Sequence, residues 1–299
     1  MFDTTPQLNC AGKTLSFDIA RVMGIVNVTP DSFSDGGRHG TTEAAIAHGL
    51  RLVNEGADVL DIGGESTRPG AEEISEEEEL KRVIPVIEAL AKQINIPIAI
   101  DTSKPGVMRA AVSAGASIIN DVFALRRDDA LDVAAELKVP VILMHMQGEP
   151  GSMQSAPRYD DAVTEVHSFL TQRIFACEMA GISKKNIVID PGFGFGKSLE
   201  HNLALLAQLQ RFVELGVPVL AGLSRKSMIG TLTGRDVNDR VSGSVAAALI
   251  AAQNGAKIIR VHDVAATVDA LKIWNAVSKK IKPKLKSNKP TGIVWPEED

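Results

Sequence analysis

The chain has 299 residues, of which 44% are hydrophobic, and its formal net charge is −5. This length can bury a large core, and either one α/β barrel or two smaller domains would fit. The acidic balance disfavours non-specific nucleic-acid binding as the main role. No apolar run reaches the roughly 18 residues of a membrane span, and the polar N-terminus lacks the basic and apolar regions of a signal peptide. The composition therefore predicts a cytoplasmic protein with neither nucleic acid nor membrane as its partner.

After a polar lead-in at 1–20, eight apolar segments alternate with segments of helical periodicity. The predicted strand cores are 23–26, 59–62, 96–100, 117–119, 139–143, 187–189, 217–220 and 257–261. The predicted helices are 42–55, 76–93, 105–114, 128–137, 160–180, 199–215, 239–254 and 265–277. Glycines typical of helix C-caps follow five of these helices, namely Gly56, Gly115, Gly181, Gly216 and Gly255.

This alternation predicts an α/β fold, a single (β/α)8 TIM barrel at 21–278 with its active site at the C-terminal ends of the strands. A doubly wound open sheet is the structural alternative. The last segment, 279–299, carries repeated lysines broken by Pro283 and has no periodicity. It is predicted to be a flexible lysine-rich tail.

The most informative stretch is 187–197, with the sequence IVIDPGFGFGK. Its β-branched residues are typical of a strand buried on both faces, and Asp190 lies where that strand ends. Three glycines allow close approach of a ligand, while Phe193 and Phe195 offer flat faces for an aromatic ring. The stretch is not a phosphate-binding P-loop, because Pro191 occupies the position of the first glycine. It is not a dinucleotide motif either, because residue 197 is lysine. A structural turn capped by Asp190 is the alternative.

Polar side chains also follow the other predicted strands, so a barrel would gather them at one rim. The carboxylates among them could instead cap helices, and the cations could instead neutralise those carboxylates. Arginine and lysine at the same rim favour an anion with several oxygens, such as a phosphate.

Five motifs in order resemble the dihydropteroate synthase family, the folate-pathway enzymes that are the target of sulfonamides. They are GIVNVTPDSFSDGG at 24–37, DIGGESTRPG at 61–70, DPGFGFGK at 190–197, SRKS at 224–227 and RVH at 260–262. The resemblance runs from about residue 21 to residue 277. It implies a transferase that joins 6-hydroxymethyl-7,8-dihydropterin pyrophosphate to p-aminobenzoate and releases pyrophosphate and 7,8-dihydropteroate.

The resemblance also implies a role for particular residues. The pterin would be bound by Asp101, Asn120, Met144, Asp190, Phe195 and Lys226. The pyrophosphate would be bound by Asn27, Thr67, Arg68, Arg260 and His262, with Asn27 as the ligand of a Mg²⁺ cofactor. The p-aminobenzoate would lie near Phe33, Pro69, Lys226 and Ser227. The expected catalytic residues are Asp35, Arg68, Lys226, Arg260 and His262, with Asp35 beside a cation at the pterin methylene.

The chemistry of these side chains suits such a reaction. Carboxylates accept from the amino and ring N–H groups of a pterin, while amide and ammonium groups donate to its carbonyl and ring nitrogens. Mg²⁺ takes few protein ligands and pairs with phosphates. Departure of the pyrophosphate ahead of amine attack needs no nucleophilic side chain, which agrees with the lack of a Ser-His-Asp or Cys-His pattern. The resemblance further implies a homodimer and sulfonamides as competitive inhibitors.

Two other functions compete with this interpretation. A pterin-dependent methyltransferase shares the barrel but needs no pyrophosphate site, so the loops at 27–37 and 67–70 argue against it. A catalytically silent binding protein could retain the barrel, and a turnover assay with the two substrates distinguishes it from an enzyme.

Overall fold

The structure is a computed structural model, and it describes residues 6–29, 37–66, 73–148, 153 and 157–278, with the backbone alone at 37–41. The expected tail at 279–299 lies outside the described residues. The strands are β1 Gln7–Cys10, β2 Lys13–Ser16, β3 Arg21–Asn27, β4 Val59–Gly63, β5 Ile98–Asp101, β6 Ile118–Asp121, β7 Val141–Met144, β8 Ile187–Asp190, β9 Leu220–Ala221 and β10 Ile258–Val261.

The helices lie between and after these strands. They are α1 Gly37–Asn54, α2 Glu76–Ala91, α3 Pro105–Ala114, α4 Ala130–Leu137, α5 Ala162–Met179, α6 Leu199–Ala207, α7 Gln210–Val213, α8 Ser227–Thr233, α9 Val241–Gln253 and α10 Val264–Ser278. The five predicted C-cap glycines all have positive φ, from 74° at Gly216 to 119° at Gly115, as that cap requires.

Strands β3 to β10 form one parallel sheet in the order β8-β7-β6-β5-β4-β3-β10-β9. The sheet closes on itself, because Ile189 of β8 forms a parallel bridge with Val219 and its amide donates to the Pro218 carbonyl at 3.0 Å. The (β/α)8 barrel is therefore confirmed and the doubly wound alternative is wrong. All eight predicted strand positions are occupied by barrel strands.

Two apolar layers hold the barrel. The larger lies between the strands and the surrounding helices, where residues such as Val26, Leu60 and Ile87 are buried. The smaller, which we call the bottom cluster, fills the barrel at the N-terminal ends of the strands. It consists of Leu8, Cys10, Leu15, Phe17, Met23, Val59, Ala99, Ile118, Ile142, Val188, Leu220 and Ile258.

The bottom cluster depends on an element that the sequence did not predict. Strands β1 and β2 form an antiparallel hairpin, with Cys10 paired to Lys13, where only a polar lead-in was expected. Its alternate side chains, Leu8, Cys10 and Leu15, face the barrel interior. Lys13 Nζ donates to the Ile96 carbonyl at 2.9 Å and ties the hairpin to the barrel.

Two helix predictions also need correction. The single helix expected at 199–215 is two helices, because the chain leaves helical geometry at Gln208 (φ −107°, ψ 24°) before α7 begins. The predicted helices also lack the short helix α8, which begins at Ser227 and is followed by the C-cap residue Gly234 with φ 67°. No helix in the described part of the chain has the length and hydropathy needed to cross a membrane.

Candidate active site

The barrel brings the predicted strand-end residues to one pocket, which we call the mouth pocket. It is formed by Asp101, Asn120, Met144, Asp190, Phe195, Lys226 and Arg260, with Asp61 beneath it. The parallel register explains the convergence, because Asp101 pairs with Asn120 across β5 and β6, and Met144 pairs with Asp190 across β7 and β8.

Arg260 lies between two carboxylates at the floor of the mouth pocket. Its Nε donates to Asp61 Oδ2 at 2.5 Å, and its Nη2 donates to Asp101 Oδ2 at 2.7 Å. Asn120 Nδ2 donates to the same Asp61 oxygen at 3.1 Å. The side chain of Asp61 is fully buried, while that of Arg260 is 22% exposed. The guanidinium is therefore held in one orientation and keeps part of its surface for a ligand.

These neighbours shift the protonation of both partners. Burial and the adjacent charge of Asp61 raise the pKa of Asp101 to about 7, although Arg260 acts in the opposite direction. Burial alone would lower the pKa of Arg260, but Asp61 and Asp101 outweigh it and raise that pKa. Arg260 is thus a permanent cation, and Asp101 can change its protonation near neutral pH.

Asp190 and Lys226 face each other across the pocket. Asp190 accepts from the Gly192 amide at 2.7 Å, and burial raises its pKa while that hydrogen bond and Lys226 oppose the rise. Burial and the charge of Arg260 lower the pKa of Lys226 to about 8, against the attraction of Asp190 and Asp101. The Lys226 ammonium lies 4.0 Å from the centroid of the Phe195 ring.

One wall of the mouth pocket is apolar. Met144 and Phe195 belong to a buried cluster with three residues that the sequence did not single out, Val122, Met146 and Met153. Phe193, which was expected to offer a flat face, is 1% exposed and packs in the core between strands and helices. That expectation is wrong for Phe193: the chain turns at Gly194, where φ is 78°, and the two rings join different clusters.

The loop that carries Asp190 and Phe195 is fixed from behind by Lys197. This buried lysine donates to the carbonyls of Gly192 at 2.9 Å, Phe195 at 3.0 Å and His145 at 3.2 Å, and its Nζ lies 2.9 Å from His145 Nδ1. Gly192 has φ 71°, and a Cβ there would lie 1.9 Å from the His145 carbonyl oxygen. The lysine of the motif therefore shapes the loop rather than binding a phosphate.

The rim beside β10 is organised by two further contacts. His262 shares the Ser224 hydroxyl, with its Nδ1 at 3.1 Å and its amide at 3.2 Å. Burial and Arg260 lower the pKa of His262 to about 4, so its ring is neutral at neutral pH. Arg225 forms a two-pronged ion pair with Asp263 at 3.0 and 2.6 Å, which positions the chain just before Lys226.

Asn27 lies at the end of β3 and lines a cavity of about 560 Å³ together with His262, Asp263 and Arg225. Among the described residues, no group of three or more His, Cys, Asp or Glu side chains could enclose a metal ion. The amide oxygen of Asn27 is a hard ligand next to open space. This arrangement fits Mg²⁺, which keeps several waters and takes one or two protein ligands beside phosphate oxygens.

The stem of the loop after β4 is held by a buried ionic cluster. Lys104 Nζ donates to Glu65 Oε2 and to Glu79 Oε2, both at 2.7 Å, and Glu65 Oε1 accepts from the Ile74 amide at 3.0 Å. Glu65 thereby joins the two sides of the segment at 67–72. Five predicted site residues lie outside the described residues, namely Phe33, Asp35, Thr67, Arg68 and Pro69.

Of the remaining predicted residues, the structure gathers nearly all at the mouth. Ser227 is exposed at the start of α8, directly after Lys226. Sequence reasoning gave no role to Asp61, Lys197, Glu65 or Lys104. Their only signal was that an ionisable residue falls at or just after a buried strand or inside a glycine-rich motif.

Comparisons with known proteins show the family of the chain. A family model described as pterin binding enzyme matches residues 23–262. The dihydropteroate synthase of Escherichia coli strain K12 is 53% identical over 270 residues, which cover 90% of this chain and 96% of that protein. The Bacillus subtilis strain 168 enzyme of the same name is 42% identical over 280 residues, covering 93% of this chain and 96% of that protein.

Solved structures give the same result. Dihydropteroate synthase from Xanthomonas albilineans with 4-aminobenzoic acid has a TM-score of 0.89 and 65% identity, covering 94% of this chain and 100% of that one. The same enzyme in complex with 7,8-dihydropteroate has a TM-score of 0.84 and 63% identity, covering 93% and 100%. A Yersinia pestis dihydropteroate synthase in a sulfonamide drug complex has a TM-score of 0.88 and 50% identity, covering 91% and 99%.

The family match and the closed barrel define the class of the protein as the pterin-binding enzymes. Within that class, the chain belongs to the dihydropteroate synthase family, and it is a transferase of folate synthesis.

Proposed function

We propose that the chain condenses 6-hydroxymethyl-7,8-dihydropterin pyrophosphate with p-aminobenzoate to give 7,8-dihydropteroate and pyrophosphate. The observation that carries this proposal is the mouth pocket, where the buried Asp61 and Asp190 and the partly buried Asp101 surround two cations beside an apolar wall. A flat heterocycle with several N–H groups and one carbonyl fits such a pocket. The Xanthomonas albilineans complex with 7,8-dihydropteroate supports the assignment.

The pterin would lie against Met144 and Phe195, with its edge toward the ionic groups. Asp101 and Asp190 would accept from ring and amino N–H groups, and Lys226 would donate to the carbonyl or a ring nitrogen. The 4.0 Å approach of Lys226 to the Phe195 ring holds the ammonium beside the wall on which the pterin would stack.

The leaving pyrophosphate would lie at the rim, against Arg260, His262 and the predicted Thr67 and Arg68. Asn27 would hold Mg²⁺, which neutralises charge on the pyrophosphate when it is bound. Neutral His262 can donate one N–H to a phosphate oxygen without a further cation. A pyrophosphate near Arg260 would also compete with Asp101 for that guanidinium.

Departure of the pyrophosphate leaves a cation at the pterin methylene, which the conjugated ring shares. The aspartates of the mouth pocket, with the predicted Asp35, would stabilise that cation by their negative field. The amine of p-aminobenzoate then forms the new carbon–nitrogen bond and loses its proton. The p-aminobenzoate would lie near Lys226, Ser227, Phe33 and Pro69, and sulfonamides would compete for the same position. The Yersinia pestis complex with a sulfonamide drug supports that competition.

A coupled test decides the function. The purified chain with both substrates and Mg²⁺ should release pyrophosphate and form 7,8-dihydropteroate in equal amounts. A sulfonamide should raise the KM for p-aminobenzoate and not the KM for the pterin substrate. Binding of the pterin without pyrophosphate release would favour the silent binding protein. Pterin binding with transfer of a methyl group would favour the methyltransferase.

Further parts of the proposal rest on the resemblance. We take residues 21–278 as the catalytic unit, with 1–20 preceding it and 279–299 as a tail. A homodimer is expected from the family, and sedimentation equilibrium would test it. A cytoplasmic location stays a prediction from composition.

A further inference from the structure

Asp61 lies beneath the mouth pocket, and its side chain has no exposed surface. It lies on β4, where it pairs with Ile25 of β3 and Ala99 of β5, and its side chain is fully buried. Its Oδ2 accepts from both Arg260 Nε and Asn120 Nδ2, while its Oδ1 is buried and has no hydrogen-bond partner among the described residues. A buried carboxylate with one oxygen left unpaired is an unfavourable arrangement for stability alone.

The contact with Asn120 settles which way that amide faces. Turning the amide by 180° would place Asn120 Oδ1 against Asp61 Oδ2, and two acceptors would repel each other. The amide nitrogen therefore points to Asp61. The amide oxygen, which makes no hydrogen bond to a described residue, is left as an acceptor for a ligand.

The contact with Arg260 has the same character. Its Nε is bound to Asp61 and its Nη2 to Asp101, so the guanidinium plane cannot rotate without breaking one of the two bonds. One carboxylate oxygen thus orients two side chains on β6 and β10, which are far apart in the sequence.

We propose that Asp61 is a positioning residue that turns the Asn120 amide oxygen and the Arg260 guanidinium toward the pterin ring. This inference rests on the proposed function for the identity of the ligand. It assigns an acceptor role to the Asn120 amide oxygen, which therefore accepts a hydrogen bond from an N–H group of the pterin and does not contact its carbonyl. Asp61 contributes no atom to the ligand and acts only through these two side chains.

An exchange of the two side chains tests the proposal. Asn120→Asp places two carboxylates against each other, so binding of 6-hydroxymethylpterin should weaken by about a hundredfold. Asp61→Asn should weaken it by about tenfold. The double variant Asp61→Asn/Asn120→Asp restores a donor facing an acceptor between positions 61 and 120 and still presents an oxygen at position 120, although the same NH₂ group then faces Arg260 Nε and that one hydrogen bond is lost. It should bind at least about tenfold tighter than Asn120→Asp. Calorimetry with that pterin, which lacks the pyrophosphate, is the measurement.

A pH profile tests the electrostatic coupling of Asp61 to Asp101, and the affinity of the folded variant separates positioning from support of the fold. The charged groups that act on Asp101 are Asp61, Arg260, Glu79 and Asp121. Because Asp61→Asn removes a neighbouring negative charge, the acid limb of kcat/KM should move to lower pH. A residue that only stabilised the barrel would lower the melting temperature and leave the pterin affinity of the folded enzyme in place.

Absence of rescue in the double variant would overturn the proposal, and so would failure of all three variants to fold. Failure of the proposed function would instead show in the wild-type chain, as a lack of pyrophosphate release or of pterin binding. The two failures are therefore distinguishable.

Discussion

The two ends of the barrel are built from opposite chemistry. At the N-terminal ends of the strands, the twelve residues of the bottom cluster are all apolar or cysteine, and the β1–β2 hairpin covers them. At the C-terminal ends, Asp61, Asp101, Asp190, Lys226 and Arg260 lie within one pocket. One end can be optimised for burial alone, whereas the other retains groups whose burial is unfavourable without partners or a ligand. Stability and chemistry are thus separated along the barrel axis.

The largest expected effect is on stability, at the bottom. Phe17→Ala removes a ring that is 1% exposed in the bottom cluster, so the free energy of unfolding should fall by about 3–5 kcal/mol. Turnover per folded molecule should not change, because the mouth lies at the other end. Urea denaturation with an activity assay measures both.

Leu232→Ala is the matched control, because that side chain is 57% exposed and its removal should change stability by no more than about 0.5 kcal/mol. A loss of turnover in folded Phe17→Ala enzyme would show that the two ends are coupled.

The sequence predicted the mouth much better than the bottom. A run such as Ile187–Asp190 predicts a barrel strand because three apolar β-branched residues precede a carboxylate. The structure buries all four residues and places the carboxylate at the rim. The hairpin strands have only four residues each and alternate between buried and exposed positions, so they are hard to distinguish from a polar lead-in. Their buried residues gain their partners only when the barrel closes.

Some features of the mouth were also beyond the sequence. The motif around Asp61 was recognised, but only the register shows that Asp61 lies below Asp101 and contacts residues on β6 and β10. Lys197 looked like part of a ligand loop, and its three carbonyl partners are visible only in three dimensions.

A second prediction concerns binding at the mouth. Asp190→Asn can still accept from the Gly192 amide, but it then presents an NH₂ group where the pterin needs an acceptor. Affinity for 6-hydroxymethylpterin should fall by roughly 1–3 kcal/mol, while the melting temperature changes little. Calorimetry and thermal unfolding are the measurements.

Asp128→Asn makes the same charge change at an exposed position and should leave affinity as it is. If folded Asp190→Asn enzyme bound the pterin as tightly as the wild type, Asp190 would not belong to the pterin site.

The third prediction concerns how kcat/KM depends on pH through two ionisable groups of the mouth pocket. Asp101 has a pKa of about 7 and must be ionised to accept, so kcat/KM for the pterin substrate should fall as the pH drops below that value. Lys226 has a pKa of about 8 and must be protonated to donate, so kcat/KM should also fall as the pH rises above 8. The result is a narrow bell whose acid limb reports mainly Asp101 and whose basic limb reports mainly Lys226, within one coupled cluster.

Lys226→Arg is the informative variant, because arginine stays charged and the basic limb should disappear even if the maximum is lower. Phe17→Ala should keep the wild-type profile. A profile that is flat from about pH 6 to 9 would show that neither group controls catalysis.

The smallest expected effect compares strained backbone at the two ends. Ala11 and Gly12 form the two-residue turn of the hairpin with φ 51° and 88°, a geometry in which asparagine is preferred to alanine. Ala11→Asn should therefore raise the free energy of unfolding by up to about 1 kcal/mol without changing turnover.

At the mouth, Arg225 has φ 57°, so Arg225→Asn gives the same backbone relief but breaks the ion pair with Asp263 that positions Lys226. Turnover should fall in that variant even if its stability does not. Thermal unfolding and steady-state kinetics on both variants make the comparison, and equal turnover in the two would mean that the ion pair of Arg225 with Asp263 has no part in placing Lys226.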